Sequence, residues 1–237
     1  MKSKLIKELS VFLPTYNEEK NIEKVVKDIK KILLKVAGKW EIIVVEDGSK
    51  DNTLKVARKL AKSDRRIRVV RHKKNRGYGG ALKSGYSSSR YEWVSFIDSD
   101  GQFDFSEITK FIKLQKRTNA DLVLGIRKQR ADSNLRKLAT FVWSKLLPRI
   151  LFGLKVGDYS CGFKLVRKKV YDGVQPLVGE EKVTQIEMLI KAQKLGFRFA
   201  ELNVGHYPRK HGKQTGADLK VVLRSISDLL KLWWALQ

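Results

Sequence analysis

Three short stretches carry residue types that could do chemistry together. Phe96-Ile97-Asp98-Ser99-Asp100-Gly101-Gln102 sets two carboxylates one residue apart behind an apolar run. Buried as an uncompensated pair they would be prohibitively costly. A hard divalent cation relieves that repulsion, and an oxygen-only donor set suits Mg2+ or Mn2+ better than zinc. Such an ion commonly keeps positions open for the oxygens of a substrate phosphate. Pro14-Thr15-Tyr16-Asn17-Glu18 is a polar loop with an aromatic ring able to stack on a nucleobase. In Glu46-Asp47-Gly48-Ser49-Lys50-Asp51, Gly48 permits a tight turn and Asp47 could accept from a base N–H. A lone Asp-X-Asp is equally the sequence of a surface turn. Three loaded loops, each following an apolar run, favour a site.

The elements that must position these loops read as alternating strands and helices. Leu9–Leu13 is a short apolar run ended by Pro14, and Ile42–Val45 is a β-branched run of the kind buried on both faces of a parallel sheet. Between them Ile22, Val25, Val26, Ile29, Ile32 and Leu33 recur at helical spacing behind the candidate caps Asn17 and Asn21. Asp51-Asn52-Thr53 opens a helix with Leu54, Ala57, Leu60 and Ala61 on one side. The alternation continues with strand Ile67–Val70, helix Gly79–Ser88, strand Trp93–Ile97, helix Glu107–Lys116 and strand Asp121–Leu124. Repeated strand–helix–strand units predict an α/β fold with a mostly parallel, Rossmann-like sheet and helices on both faces. Ligands of such sheets bind beyond the carboxyl ends of the strands, where all three loops fall.

Beyond residue 130 the pattern changes. Leu135–Phe152 is rich in bulky apolar residues but is interrupted by Lys145, Pro148 and Arg149. It suits a helix packed on the sheet and a membrane-surface segment equally. Leu219–Leu236 predicts an amphipathic helix ending in Trp233-Trp234. It would either pack on the sheet or lie at a lipid headgroup boundary, and the Trp pair joined to a basic chain favours the lipid. The expected organisation is a domain over residues 1–215 and a C-terminal amphipathic helix over 216–237.

The charge balance of the 237-residue chain narrows its partners. Fifty Lys and Arg against 25 Asp and Glu give +25, with 28 basic and 15 acidic residues through residue 118 and 22 and 10 after it. The excess therefore belongs to the whole chain, and its field attracts nucleic acid, anionic lipid or phosphorylated substrates. The cations are not interleaved with a row of aromatics, and no nucleic-acid-binding pattern is present, so nucleic acid is not the expected partner. One cysteine, Cys161, excludes an intramolecular disulfide framework and suits a reducing compartment. No run of 18 uncharged apolar residues and no secretory apolar segment is found. The expectation is a cytoplasmic protein, peripheral on the cytoplasmic face of a membrane.

Together the loops resemble the family-2 glycosyltransferases of GT-A fold, and within them the dolichol- and polyprenol-phosphate mannosyl- and glucosyltransferases. The likeness covers roughly residues 9–215. Val11–Glu18 resembles the first donor loop, Val45–Thr53 the nucleotide loop (with Glu46 where the family more often has Asp), and Asn75–Ala81 the glycine-rich helix start. Asp98-Ser99-Asp100-Gly101-Gln102 is similar to the Asp-X-Asp-X-Gln metal motif. The resemblance implies that Asp98, Asp100 and Gln102 hold a metal, Mg2+ or Mn2+. It implies that Pro14, Tyr16, Glu18, Asp47, Asp98 and Lys213 bind the nucleotide-sugar donor. Gly125–Arg127 and Leu135–Lys137 resemble the segments that bring Arg127 and Arg136 to the phosphate of a lipid acceptor. Asp158–Lys164 resembles the motif closing over donor and acceptor, and His206–Lys213 the basic loop that closes on the diphosphate. Asp98, Asp100, Asp158 and Arg209 would thus be the catalytic set. Glu187, in the following helix, would be catalytic or would orient cationic neighbours, and the second is favoured.

The resemblance implies an inverting transfer of a hexose from GDP-mannose or a UDP-sugar to a polyprenyl phosphate at a membrane surface. A phosphate monoester has its second pKa near 6, so its oxygen is already anionic at neutral pH and needs no general base. The alternative acceptor, a sugar or glycolipid hydroxyl, requires a carboxylate base. Glu180-Glu181 is the only rough stand-in for that motif here. The chain would work as a peripheral protein on an anionic membrane surface or with a membrane-protein partner.

Overall fold

The computed structural model describes residues 4–127, 147–179, 183–212, 229 and 232–234. Its centre is a seven-stranded sheet in the order β3-β2-β1-β4-β6-β5-β7. The strands are β1 (Ile6–Thr15), β2 (Ala37–Glu46), β3 (Ile67–Arg71), β4 (Trp93–Ile97), β5 (Leu122–Arg127), β6 (Phe163–Arg167) and β7 (Phe199–Val204). β6 runs antiparallel to β4 and β5, and every other pairing is parallel.

Helices α1 (Ile22–Val36), α2 (Thr53–Ser63), α3 (Gly77–Ser88) and α4 (Ile108–Thr118) follow the first four strands. α5 (Leu147–Phe152), α6 (Lys168–Gly173) and α7 (Val183–Lys194) complete the helices with given ends. The periodic apolar positions do the predicted work, since Ile22, Val26, Ile29 and Leu33 of α1 and Ala57 and Leu60 of α2 are buried. Each sheet face carries its own core: Val11, Leu13, Ile42 and Val44 lie on one side, and Phe12, Ile43, Val45 and Phe96 on the other. Such alternation in fully buried strands explains why these runs read as continuously apolar.

Three local expectations change. β1 and β2 extend several residues to the amino side of their apolar runs. The predicted start of α4 at Glu107 is a 3-10 turn, Phe105–Glu107, whose Ser106 N–H is accepted by the Asp104 side chain. Asn21 occupies the N-cap position of α1 without capping it, because its amide donates to Glu18 Oε2 at 2.7 Å instead.

Leu229 and Leu232 are buried among the residues of the second core, whereas Trp234 is 75% exposed. Most of the predicted 216–237 helix, and residues 135–146 of the Leu135–Phe152 segment, lie outside the described residues. Among the described residues no helix is long and apolar enough to cross a membrane.

Candidate active site at the carboxyl edge of the sheet

Strand direction decides which loops meet. β1, β2, β3, β4, β5 and β7 end at one edge, and the reversed β6 begins there, with Asp98 N–H donating to the Gly162 carbonyl at 3.1 Å. Six described loops therefore converge: those after β1, β2, β3, β4 and β7, and the Asp158–Gly162 loop before β6, with Arg127 at the end of β5.

The first two loops are tied to each other. Asp47 N–H donates to the Thr15 carbonyl, Asn17 N–H to Ser49 Oγ, Lys50 N–H to Asn17 Oδ1 and Glu18 N–H to Thr53 Oγ1. Gly48 is at φ +70°, and a Cβ there would stand 2.7 Å from Asn75 N, so the turn admits no side chain. Asp47 is buried; its Oδ1 lies 2.6 Å from His72 Nδ1 and accepts from Arg76 N–H at 2.8 Å. His72 in turn reaches Ser84 Oγ through Nε2 at 2.8 Å. Pro14 is buried with its carbonyl accepting from Ser99 Oγ at 2.7 Å, and Tyr16 is half-buried.

At the end of β4, Asp98 and Asp100 stand as expected, both partly buried. Asp98 Oδ1 accepts from the Tyr78 hydroxyl at 2.9 Å. Burial, and then the Asp100 charge, push the Asp98 carboxyl well above the ordinary carboxylate range; the Tyr78 hydrogen bond and the Arg127 and Lys164 charges pull it back only in part. Burial and the Asp98 charge likewise hold the Tyr78 phenol well above its ordinary value, so it remains a donor. A Cβ on Gly162 would fall 1.9 Å from Asp98 Oδ2, so only glycine lets the β6 loop close against this carboxylate.

Gln102 is buried, and its Nε2 donates to the Tyr207 carbonyl at 2.8 Å while Tyr207 N–H donates to the Gln102 carbonyl at 2.9 Å. This double bond staples the loop after β7 onto the Asp-X-Asp turn and delivers Arg209. The Arg209 guanidinium pairs with Glu18 Oε1 and lies 3.8 Å from Asp100 Oδ2. Burial raises the Glu18 carboxyl despite its hydrogen bonds from Asn21 and Arg209. Glu18, Asp100 and Arg209, distant in sequence, are thus one cluster.

Arg127 and Asp158 meet in a bidentate pair, Nε to Oδ2 at 2.8 Å and Nη2 to Oδ1 at 2.9 Å, with Nη2 also donating to Ser160 Oγ at 2.8 Å. Both oxygens of the Asp158 carboxylate are thereby engaged. Glu187 is fully buried and accepts from the Val178 and Gly179 N–H groups while pairing with Lys191, so it orients a loop and a cation. Arg136, Lys213 and Glu180-Glu181 lie outside the described residues.

The sequence places Lys164 at the end of the Asp158–Lys164 motif without giving it a role of its own. It is fully buried, and its Nζ donates to the carbonyls of Tyr159 (2.9 Å) and Cys161 and to Gln185 Oε1 (2.5 Å). Burial pushes its ammonium down to about 8. A lysine inside the apolar run Phe163-Lys164-Leu165-Val166 was the available signal, because charge in a buried strand needs partners.

Two adjacent carboxylates whose mutual repulsion is only partly compensated fit a hard divalent ion that takes its remaining ligands from water and a diphosphate. Among the described residues no three His, Cys, Asp or Glu side chains converge into a closed metal cage. Asp98 and Asp100, with the neighbouring Gln102 amide, would form an open donor set.

Several known proteins resemble this chain in sequence or in fold. A dodecaprenyl-phosphate galacturonate synthase of Rhizobium johnstonii is 32% identical over 231 residues, 95% of this chain and 66% of that protein. A dolichyl-phosphate beta-glucosyltransferase of Dictyostelium discoideum is 30% identical over 213 residues, 83% of this chain and 65% of that protein. The chain thus spans just under two thirds of the length of either relative. Among solved structures, glucosyl-3-phosphoglycerate synthase from Mycobacterium tuberculosis, in complex with Mn2+, uridine diphosphate and phosphoglyceric acid, superposes with a TM-score of 0.70 at 22% identity. The match covers 96% of this chain and 78% of that one, so the sheet and its helices form a GT-A-like fold. The glycosyl transferase family 2 profile matches residues 10–174, and the chain belongs to that family.

Proposed function

We propose that this chain is an inverting hexosyltransferase that moves a sugar from a nucleotide-sugar to a polyprenyl phosphate at a membrane surface. The observation that carries the reading is the cluster at the carboxyl edge. There the Asp98–Asp100 pair, its repulsion only partly offset, has the Arg209 guanidinium 3.8 Å from Asp100, delivered by the loop after β7. Relatives named for dodecaprenyl phosphate and dolichyl phosphate support the lipid acceptor. The Mn2+ and UDP in the structural neighbour support the donor and metal.

Asp98 and Asp100, with Gln102 beside them, would hold Mg2+ or Mn2+, which when bound supplies positive charge to the donor diphosphate. The chain's own residues do the rest. The β1 and β2 loops bind the nucleoside, with Tyr16 offering a ring and Asp47 an acceptor. Arg209, released from Glu18, compensates charge developing on the departing nucleoside diphosphate, and Lys213 is assigned the same task. Arg127, held rigid by Asp158, and Arg136 meet the acceptor phosphate. The pairing of Asp158 with Arg127 supports an acceptor that needs no general base, since a phosphate oxygen is already anionic. Attack on the anomeric carbon opposite the departing diphosphate inverts it. The +25 charge favours an anionic leaflet, each nearby Lys or Arg contributing about 1 kcal/mol, with a membrane-protein partner as a second means of recruitment.

The test is transfer of labelled sugar from GDP-mannose and a panel of UDP-sugars into an organic-extractable lipid. It is run with and without polyprenyl phosphate, with Mg2+, Mn2+ or EDTA, beside Asp100→Ala. Metal-dependent label in the lipid phase, lost in the variant, is expected. Label appearing only on added sugars or glycolipids would overturn the acceptor assignment.

A further inference from the structure

A chain of buried polar groups runs away from Asp98 into the protein, and the mechanism above does not use it. The Tyr78 hydroxyl donates to Asp98 Oδ1 at 2.9 Å. Gln185 Nε2 donates to that same hydroxyl oxygen at 3.2 Å. Gln185 Oε1 accepts from Lys164 Nζ at 2.5 Å, and Lys164 also binds the carbonyls of Tyr159 and Cys161. Tyr78 is the second residue of α3, Gln185 lies in α7 and Lys164 is on β6, so three elements from distant parts of the sequence meet behind one carboxylate.

We propose that Tyr78, Gln185 and Lys164 are positioning residues that set the orientation of Asp98 as a metal ligand. The direction of each hydrogen bond is determined along the chain. Lysine can only donate, so Gln185 must present its oxygen to it and its NH2 to Tyr78. The Tyr78 oxygen, having accepted that NH2, turns its single proton on Asp98. One carboxylate oxygen is thereby occupied on the protein side, and the group's rotation is restricted before any ligand arrives. Lys164 does a second task with its other two protons: it ties down the Tyr159–Cys161 backbone, which leads into Gly162, the residue lying against Asp98 Oδ2. Both faces of the carboxylate are thus controlled from one buried ammonium. Groups that hydrogen-bond to a metal ligand characteristically alter metal affinity by about 10- to 100-fold.

This inference rests on Asp98 being a ligand of the metal, and the experiment separates the two. Mn2+ binding to the whole chain is followed by the EPR signal of the free ion, with UDP or GDP present, for wild type, Asp98→Ala, Tyr78→Phe and Gln185→Glu. Tyr78→Phe removes one hydroxyl and is expected to weaken Mn2+ by about tenfold or more. Gln185→Glu keeps the acceptor for Lys164 but offers Tyr78 only oxygens, which draws the phenol proton off Asp98; it too should weaken Mn2+. A merely structural role would lower the melting temperature of both variants in EDTA and leave Mn2+ affinity alone. Unchanged Mn2+ affinity in Tyr78→Phe and Gln185→Glu, with binding lost in Asp98→Ala, would overturn the positioning role and leave the site assignment standing. Equal Mn2+ binding by wild type and Asp98→Ala would overturn both.

Discussion

Buried acids at the amino edge of the sheet and the Asp98–Asp100 pair at its carboxyl edge are treated differently. At the amino edge the deeply buried acids Glu41 and Asp121 each have a cation. Glu41 accepts from Arg68 through Nε (3.0 Å) and Nη2 (2.7 Å), from Ser10 Oγ and from Arg90 N–H. Asp121, just before β5, is met by Arg167, Lys169 and the Arg198 N–H. Burial alone would raise Asp121, yet those partners outweigh it and hold its carboxyl below the ordinary range. At the carboxyl edge Asp98 and Asp100 sit side by side, and the Asp98 carboxyl is raised. One edge uses charge to hold the strands in register. The other leaves two adjacent carboxylates only partly compensated, the arrangement that the proposed metal site would use.

That contrast can be broken by experiment, most sharply at Asp98. Asp98→Asn keeps an acceptor for Tyr78 and removes the charge. Sugar transfer should fall by about 10^2- to 10^3-fold, while the melting temperature in EDTA rises. A lower melting temperature would mean that the carboxylate is stabilising as it stands. Glu41→Gln should do the reverse, costing about 3 kcal/mol in denaturant unfolding because Arg68 is left with a neutral partner. Its transfer rate below the melting transition should match wild type, and lost turnover there would mean the edges are coupled.

Gly162→Ala tests how tightly the β6 loop closes on the site. The added methyl would collide with Asp98 and should weaken Mn2+ by about tenfold, or about 1.4 kcal/mol. The smallest expected effect is in the pH dependence of stability without metal. A raised folded pKa at Asp98 contributes stability that is present at acid pH and is lost as pH climbs above the unfolded value of about 4. Asp98→Asn should flatten that decline. Asp121, with its lowered pKa, contributes in the opposite sense: its stability is present above about 4 and is lost as pH falls. Asp121→Asn should therefore flatten the acid limb alone, and thermal melts across pH read both.

The sequence made the first half of the fold legible because its signals are local. Apolar periodicity in α1 and α2 and the β-branched run of β2 report burial directly, and each structural element lies where its pattern falls. The Asp98–Asp100 pair and the Asp47–Gly48 turn were legible for the same reason, being defined by neighbours in sequence. The reversal of β6 was not, since strand direction depends on distant partners, as in the pairing of Ser95 with Leu165, 70 residues apart. Nor were the partnerships. Arg127 with Asp158, Arg209 with Glu18, and His72 with Asp47 are separated by 31, 191 and 25 residues.

What the sequence by itself determined is the class of the fold, the family, and the chemistry available at the strand ends: oxygen ligands, glycine turns and an excess of cations. The tertiary structure alone decided which charges are satisfied. A carboxylate on a parallel strand end looks the same in sequence whether an arginine, a tyrosine hydroxyl or another carboxylate faces it. Desolvation and Coulomb energy depend on distance in space, and the distances that separate Asp98 from Asp121 in character arise only when β6 turns back and brings Gly162 and Lys164 to the site.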